Sequence, residues 1–142
     1  MAKDKRFMGV QYPLVRGPHG LFAKKSGTDQ IKADLLQLLM TNPGERVMMP
    51  NYGTPLRGLV FEPNDEALAF QTKQVILESI RTWEPRVVVT DIEVTPGPDK
   101  SALGPYEDGS DTESVLYIQV HFVDPQDINS IESLTLALPT GV

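Results

Sequence analysis

The sequence predicts an α+β domain in which two helices pack on one face of a small antiparallel sheet. Two segments, 28–40 and about 65–83, have apolar residues at helical spacing, and three later segments alternate apolar and polar residues as strands do. An extended N-terminal arm, residues 1–27, comes before the first helix, and a C-terminal strand is expected at an edge of the sheet. The 142 residues fit a single domain, and a chain of this size buries roughly 70% of its unfolded surface.

The N-terminal arm is rich in glycine and proline and has only scattered apolar positions, so at most a short strand is expected near Met8–Tyr12. The first helix should begin at Thr28, with Ser26 or Thr28 as its cap. The segment Asn42–Gly44 should end it, because proline cannot continue a helix and glycine allows a turn. Its core-facing residues are expected to be Ile31, Leu35, Leu38 and Leu39.

A short extended segment and a single helical turn, Leu56–Phe61, come before the second helix. Asn64 or Asp65 should cap this helix, and Pro85 should end it. Its apolar stripe is predicted to consist of Leu68, Val75, Ile76, Leu77 and Ile80, with Trp83 at its end.

The three alternating segments predict neighbouring antiparallel strands. The first is 86–95, the second is 114–123, and the third lies near the C-terminal end of the sequence. In the first strand, Val88, Ile92 and Val94 form the apolar face of a half-buried strand. In the second, Leu116, Ile118, Val120 and Phe122 are expected to face inward. In the third, Leu134, Leu136 and Leu138 alternate with Ser133, Thr135 and Ala137.

Residues 96–113, between the first two strands, carry five acids and have little to bury, which predicts a long and mobile acidic loop. The acidic cluster Asp108–Glu113 resembles a calcium-binding loop in composition. The order of ligands and the central glycine that a calcium-binding loop requires are absent, so we expect no calcium site.

Charge is unevenly distributed along the chain. Residues 1–57 carry a net charge of +5 and residues 58–142 carry −11, which together give −6. The acidic half argues against a nucleic-acid partner, because such binding depends on neutralising phosphates. Opposite net charges in the two halves of the sequence favour docking to protein partners of unlike charge. The alternative is that the charges serve only to keep the protein in solution. No apolar run approaches the roughly 20 residues that span a bilayer, so we predict no membrane association.

The sequence lacks the common signatures of catalysis and cofactor binding. It has no cysteine and two histidines, which excludes disulfides and a structural zinc site. Phosphate-binding glycine loops, nucleophile elbows and zinc-hydrolase motifs are also absent. We therefore predict no cofactor, no metal and no catalytic residues.

Two proline-containing segments are more specific. Pro43 and Gly44 reverse the chain after the first helix, and Glu45 and Arg46 start the next element. In the second segment, Glu84–Arg86, proline makes a rigid corner from which a carboxylate and a guanidinium project. That arginine either binds a partner's carboxylate or forms an internal ion pair that holds the corner.

Together these segments resemble the contractile-tail baseplate wedge family, the sheath initiators of contractile phages and type VI secretion baseplates. The resemblance covers nearly the whole chain. The motif residues that carry it are Gly44, Glu45, Arg46, Pro50, Gly53, Phe61, Glu62 and Pro63, followed by Glu84, Pro85 and Arg86.

The resemblance implies a structural protein located in the virion tail baseplate and assembled in the host cytoplasm. It implies binding to wedge proteins through Glu84, Pro85 and Arg86, and contact with the tail sheath protein through the strand that carries Leu134, Leu136 and Leu138. Central spike or tube proteins are further candidate partners. The first ring of sheath subunits would pair with the backbone of that strand, whose leucines would provide specificity, or with the arm around Met8–Tyr12. Loss of Arg86 would weaken docking more than folding.

The family label "lysozyme-like" raises a muramidase as the alternative function. A glycosidase needs two carboxylates across a sugar-binding cleft, one of them with a raised pKa. Glu62 and Glu84 are the obvious pair, but each has an arginine close in sequence, which lowers the pKa of a carboxyl group. Aromatic residues that could stack on sugars are also few, at 7% of the chain. We therefore expect no enzymatic activity.

Overall fold

The computed structural model describes residues 7–59, 61–62, 65–98, 114–125 and 127–140. The α+β fold expected from the sequence is confirmed. The elements in chain order are β1 (Gly9–Val10), β2 (Lys24–Lys25), α1 (Thr28–Met40), α2 (Leu56–Leu59), α3 (Glu66–Trp83), β3 (Val88–Pro98), β4 (Ser114–Asp124) and β5 (Asp127–Thr140).

The main sheet has the order β3-β4-β5, and both neighbouring pairs are antiparallel. Ile118 in the central strand faces Val94 on one side and Leu136 on the other. The predicted inward residues of β4 are all buried against α1 and α3, as the alternation of a half-buried strand requires. They are Leu116, Ile118, Val120 and Phe122, each 2% exposed or less.

The prediction that Val88 lies on the buried face of its strand is wrong. The register shifts between Val89, which pairs with Phe122, and Asp91, which pairs with His121. Thr90, which has no partner in this register, forms a β-bulge. A one-residue shift sends the side chains before it to the opposite face of the sheet. Val88 is therefore 52% exposed, while Val89 packs against the core.

The N-terminal segment is folded back on itself, which corrects the prediction of an extended arm. β1 pairs with β2, and an isolated bridge joins Arg16 to Phe22. The N–H of Gln11 donates to the carbonyl of Ala23 at 2.9 Å. Residues 1–6 of the predicted arm lie outside the described residues.

The two long helices occupy the predicted positions, and their starts differ in how they are capped. Asp65 caps α3, because its carboxylate accepts the N–H of Leu68 at 2.9 Å. The cap of α1 is Gly27, at a φ of 62°, in place of the expected Ser26 or Thr28. The N–H groups of Gln30 and Ile31 bond to its carbonyl instead.

The stripe of α3 follows i, i+4 spacing more strictly than expected. Thr72 and Ser79 take buried positions, while Val75 and Leu77 are only partly buried.

The predicted acidic loop, 96–113, starts later than expected. β3 continues to Pro98, so residues 96–98 belong to the strand. The remainder of that loop, 99–113, lies outside the described residues.

Candidate functional site

The first family-motif segment forms a closed loop between α1 and α2. The N–H of Gly44 donates to the carbonyl of Pro50 at 2.6 Å, and the N–H of Thr54 donates to the carbonyl of Thr41 at 2.8 Å. Gly44 has a φ of 94° and is the third residue of a turn that the N–H of Glu45 closes by donating to the carbonyl of Asn42 at 3.1 Å, a position that favours glycine. The two backbone bonds hold residues 44–50 as a projecting loop.

Gly53 closes this loop at a place where no other residue fits. Its φ is 125°, and a Cβ atom at this position would lie 2.3 Å from the carbonyl oxygen of Thr41. The close approach of the two backbone segments therefore depends on glycine. Gly53 is a structural residue of the motif.

Glu45 stabilises the loop from within. One oxygen of its carboxylate accepts the N–H of Asn42 at 2.9 Å, and the other accepts from Arg57 at 3.2 Å. Both charged side chains are substantially exposed, so this ion pair contributes little free energy. Its effect is to fix the direction of the chain after the turn.

Arg46 lies over the ring of Tyr52, with 3.8 Å between the guanidinium carbon and the ring centroid. Tyr52 in turn meets Trp83 of α3 edge to face, with 5.4 Å between ring centroids. Burial raises the pKa of the Tyr52 hydroxyl above its usual value, and the charge of Arg46 opposes that increase. The loop is thus attached to the end of α3 through an arginine and two rings.

The second family-motif segment forms a network of charges at the corner between α3 and β3. Arg86 donates to both carboxylate oxygens of Glu84. Its Nε donates to Oε1 at 2.5 Å, and its Nη2 donates to Oε2. Its Nη2 also donates to Asp34 of α1 at 2.6 Å. Hydrogen bonds with Glu84 are the main reason that the pKa of Arg86 lies above its usual value.

This network answers the question that the sequence left open for Arg86. The Glu84 side chain is only 6% exposed, so its charge requires the guanidinium that pairs with it. The arginine also lies 5.2 Å from the ring centroid of Phe7. Of the three residues Glu84, Pro85 and Arg86, only Pro85 is exposed. Their contact with a wedge protein stays a prediction, and the internal ion pair is present.

The projecting loop carries a feature that the sequence analysis missed. Val47 and Met48 are 93% and 90% exposed, although both are large apolar residues. The adjacent motif residue Phe61 is 79% exposed, and Glu62 beside it is also exposed, whereas Pro63 lies outside the described residues. The signal available in the sequence was a run of apolar residues between two turn-forming segments.

The predicted sheath-facing leucines point into the domain. Leu136 and Leu138 are 8% and 9% exposed and belong to the core, against which Leu134 also packs. These side chains are therefore unavailable to a second protein, contrary to the idea that they would provide specificity. The free part of β5 is its backbone edge, since no described strand pairs with that side.

Prolines reveal which backbone groups of β5 face the free edge. In an antiparallel strand, the N–H and C=O of one residue point to the same side, and successive residues alternate. Pro139 pairs with Val115 and has no N–H, so its nitrogen is expected to face away from β4. By the same alternation, the backbone N–H and C=O groups of Ser133, Thr135 and Ala137 face the free edge. The backbone groups of Leu134, Leu136 and Leu138 face β4.

The opposite edge of the sheet carries two prolines at the end of β3. Pro96 and Pro98 of β3 pair with Leu116 and Ser114 of β4. Leu116 also pairs with Leu138, so the two edges have the same alternation and both prolines face outward. A proline at an outward position lacks the N–H that another strand would need there. Among the described strands of this sheet, the edge of β5 keeps its outward N–H groups from Ile131 to Ala137, whereas the edge of β3 lacks two of them at Pro96 and Pro98.

The geometry does not support a catalytic pair. Glu84 is held by Arg86, and Glu62 is exposed on the short segment after α2. Trp83 packs on Tyr52 rather than lining a cleft with other rings. In the described part of the chain, no group of three or more histidine, aspartate and glutamate residues is placed to hold a metal ion.

Comparisons with known proteins agree with this architecture. Baseplate protein W of Escherichia phage P2 is 31% identical over 64 residues, which is 45% of this chain and 56% of that protein. The alignment thus spans about half the length of that curated relative. A crystal structure from Geobacter sulfurreducens, named as a candidate tail lysozyme, is 23% identical and covers 83% of this chain and 96% of its own, with a TM-score of 0.61.

Two baseplate structures share the fold. That of the anti-feeding prophage is 21% identical, with a TM-score of 0.59, and covers 95% of this chain and 86% of the matched one. That of pyocin R2 after contraction is 21% identical, with a TM-score of 0.51, and covers 94% and 99%. The family model described as baseplate wedge protein gp25 matches residues 25–123, which is most of the chain. The chain therefore belongs to the baseplate wedge protein gp25 family, in agreement with the resemblance found in its sequence motifs.

Proposed function

We propose that this baseplate protein is held in the tail by wedge proteins and offers the edge of β5 to a strand from the first ring of sheath subunits. Membership of the family confirms the tail baseplate as its location and a structural role as its general function. The observation that carries the finer proposal is the asymmetry of the sheet: the β5 edge is open, and the β3 edge has outward prolines.

An added strand would gain affinity from main-chain hydrogen bonds along β5. Ile131, Ser133, Thr135 and Ala137 each offer an outward N–H and C=O, and all four side chains are exposed. Pro139 ends the run of donors near the C-terminal end of the strand. A long open edge is an aggregation hazard in a protein that does not use it, which favours its occupation in the assembled tail.

The proposed template role is tested with baseplates assembled without this chain. We expect such baseplates to carry no sheath when they are mixed with purified sheath protein. Adding this protein should restore sheath that starts at the baseplate, as seen by electron microscopy. Sheath of normal length and position on baseplates that lack the chain would contradict the template role.

Peptidoglycan hydrolysis is not expected from the purified protein. Both carboxylate oxygens of Glu84 accept hydrogen bonds from Arg86, so the side chain is engaged inside the domain rather than placed against a substrate. Any background release of soluble fragments should be unchanged by Glu62→Gln and by Glu84→Gln, each shown by circular dichroism to be folded. A signal that either folded variant abolishes would establish the muramidase instead.

A further inference from the structure

We propose that Arg46 and the adjacent apolar residues Val47, Met48 and Met49, here called the loop tip, bind a carboxylate flanked by aliphatic side chains on a neighbouring baseplate protein. The inference rests on the proposed assembly function and deepens it. It adds Arg46 as a candidate partner-binding arginine beside Arg86, whose contact with a wedge protein stays a prediction.

Arg46 is oriented in advance for such a contact. Its guanidinium carbon lies over the ring of Tyr52, 3.8 Å from the ring centroid, and Tyr52 packs edge to face against Trp83. A planar arginine held on a ring keeps its N–H donors directed outward and loses less conformational freedom when it binds a carboxylate in a bidentate manner.

The carboxylates near Arg46 already have other partners. Glu45 binds Arg57 and the N–H of Asn42. Asp34 and Glu84 both bind Arg86. Within residues 7–59 and the other described segments, no ion pair to Arg46 is formed. Among the residues that the structure describes, the cation of the loop tip therefore has no acidic partner, and we propose that an external acid supplies one.

The apolar part of the loop tip points to the chemistry around that acid. Val47 and Met48 are almost fully exposed, and Met49 is 42% exposed. The backbone bonds from Gly44 to Pro50 and from Met49 to Arg46 hold these side chains outside the domain. Methionines adapt to irregular apolar surfaces, so an aliphatic segment suits them. A nucleic acid would satisfy the arginine and leave the apolar residues exposed to water.

The test uses baseplates assembled without this chain and measures the binding of fluorescently labelled variants to them. Arg46→Ala is expected to bind at least tenfold more weakly than the unmodified protein, with partial recovery in Arg46→Lys. Arg81→Ala is the matched control, since this exposed arginine lies in the last turn of α3 and outside the loop tip, and it should bind normally. Met48→Asp should also weaken binding tenfold. Because Met48 is 90% exposed, this substitution should leave the domain folded, so that unfolding would not explain the loss of binding.

The outcomes separate this inference from the proposed function. If the unmodified protein does not bind these baseplates, the assembly function fails. If it binds, and folded Arg46→Ala and Met48→Asp bind equally well, only the loop-tip site fails. A photo-crosslinking residue at position 47 in assembled tails identifies the occupant. Crosslinks to a segment with aspartate or glutamate beside aliphatic residues support the proposal, and crosslinks to a basic segment, to nucleic acid or to nothing overturn it.

Discussion

Replacing Arg86 by alanine is expected to lower the free energy of unfolding by about 3–5 kcal/mol, because it leaves the buried charge of Glu84 without a partner. The Glu84 side chain is 6% exposed and depends on Arg86 for two hydrogen bonds. The same substitution also separates Asp34 of α1 from the corner that begins β3. The sequence motif suggested the opposite order, with docking affected more than folding.

Urea unfolding monitored by the fluorescence of Trp83 measures this loss. Arg57→Ala is the control, because it removes an exposed ion pair and should cost about 1 kcal/mol or less. Combining Arg86→Met with Glu84→Gln should recover part of the stability lost in Arg86→Met alone, since the buried charge is removed with its partner. A stable Arg86→Ala variant that fails to enter baseplates would instead restore the partner-binding role of this corner.

Introducing proline at position 135 is expected to prevent sheath nucleation while the domain remains folded. The N–H of Thr135 points to the free edge, so its removal interrupts pairing with an added strand and leaves the bonds between β4 and β5 in place. Edge strands tolerate proline at such outward positions, as Pro139 already shows in the same strand. Nucleation is measured by counting sheathed baseplates in electron micrographs.

Two neighbouring variants make this test selective. Thr135→Ala keeps the backbone donor and should nucleate sheath normally. Leu136→Pro removes a donor that bonds to β4, and it should destabilise the domain by about 3 kcal/mol or more. The opposite pattern, with Thr135→Pro unfolded and Leu136→Pro stable, would show that the alternation along β5 is reversed. Folded Thr135→Pro that nucleates a full sheath would exclude this edge as the template.

Elements whose causes are local could be predicted from the sequence. Helical spacing placed α1 and α3, the cap of α3 was expected to be Asn64 or Asp65 and is Asp65, and Pro85 was expected to end α3 at the corner. Alternation identified the strands and the buried face of β4 correctly. These features depend on propensity, capping and side-chain period over a few residues, which is the range that a sequence pattern records. The family motifs then indicated the baseplate.

Contacts between residues that are distant in sequence could not be predicted in this way, because they depend on long-range packing. Arg86 pairs with Asp34, which is 52 positions away along the chain, and no local pattern reveals that its charge is already satisfied. The bulge before Asp91 exposes Val88, because its position is set by pairing with β4. In the same way, the helices packed on the sheet bury the leucines of β5 and leave its backbone edge open. A side chain's availability to a partner depends on which surfaces the folded chain has already covered, and that is a property of long-range packing.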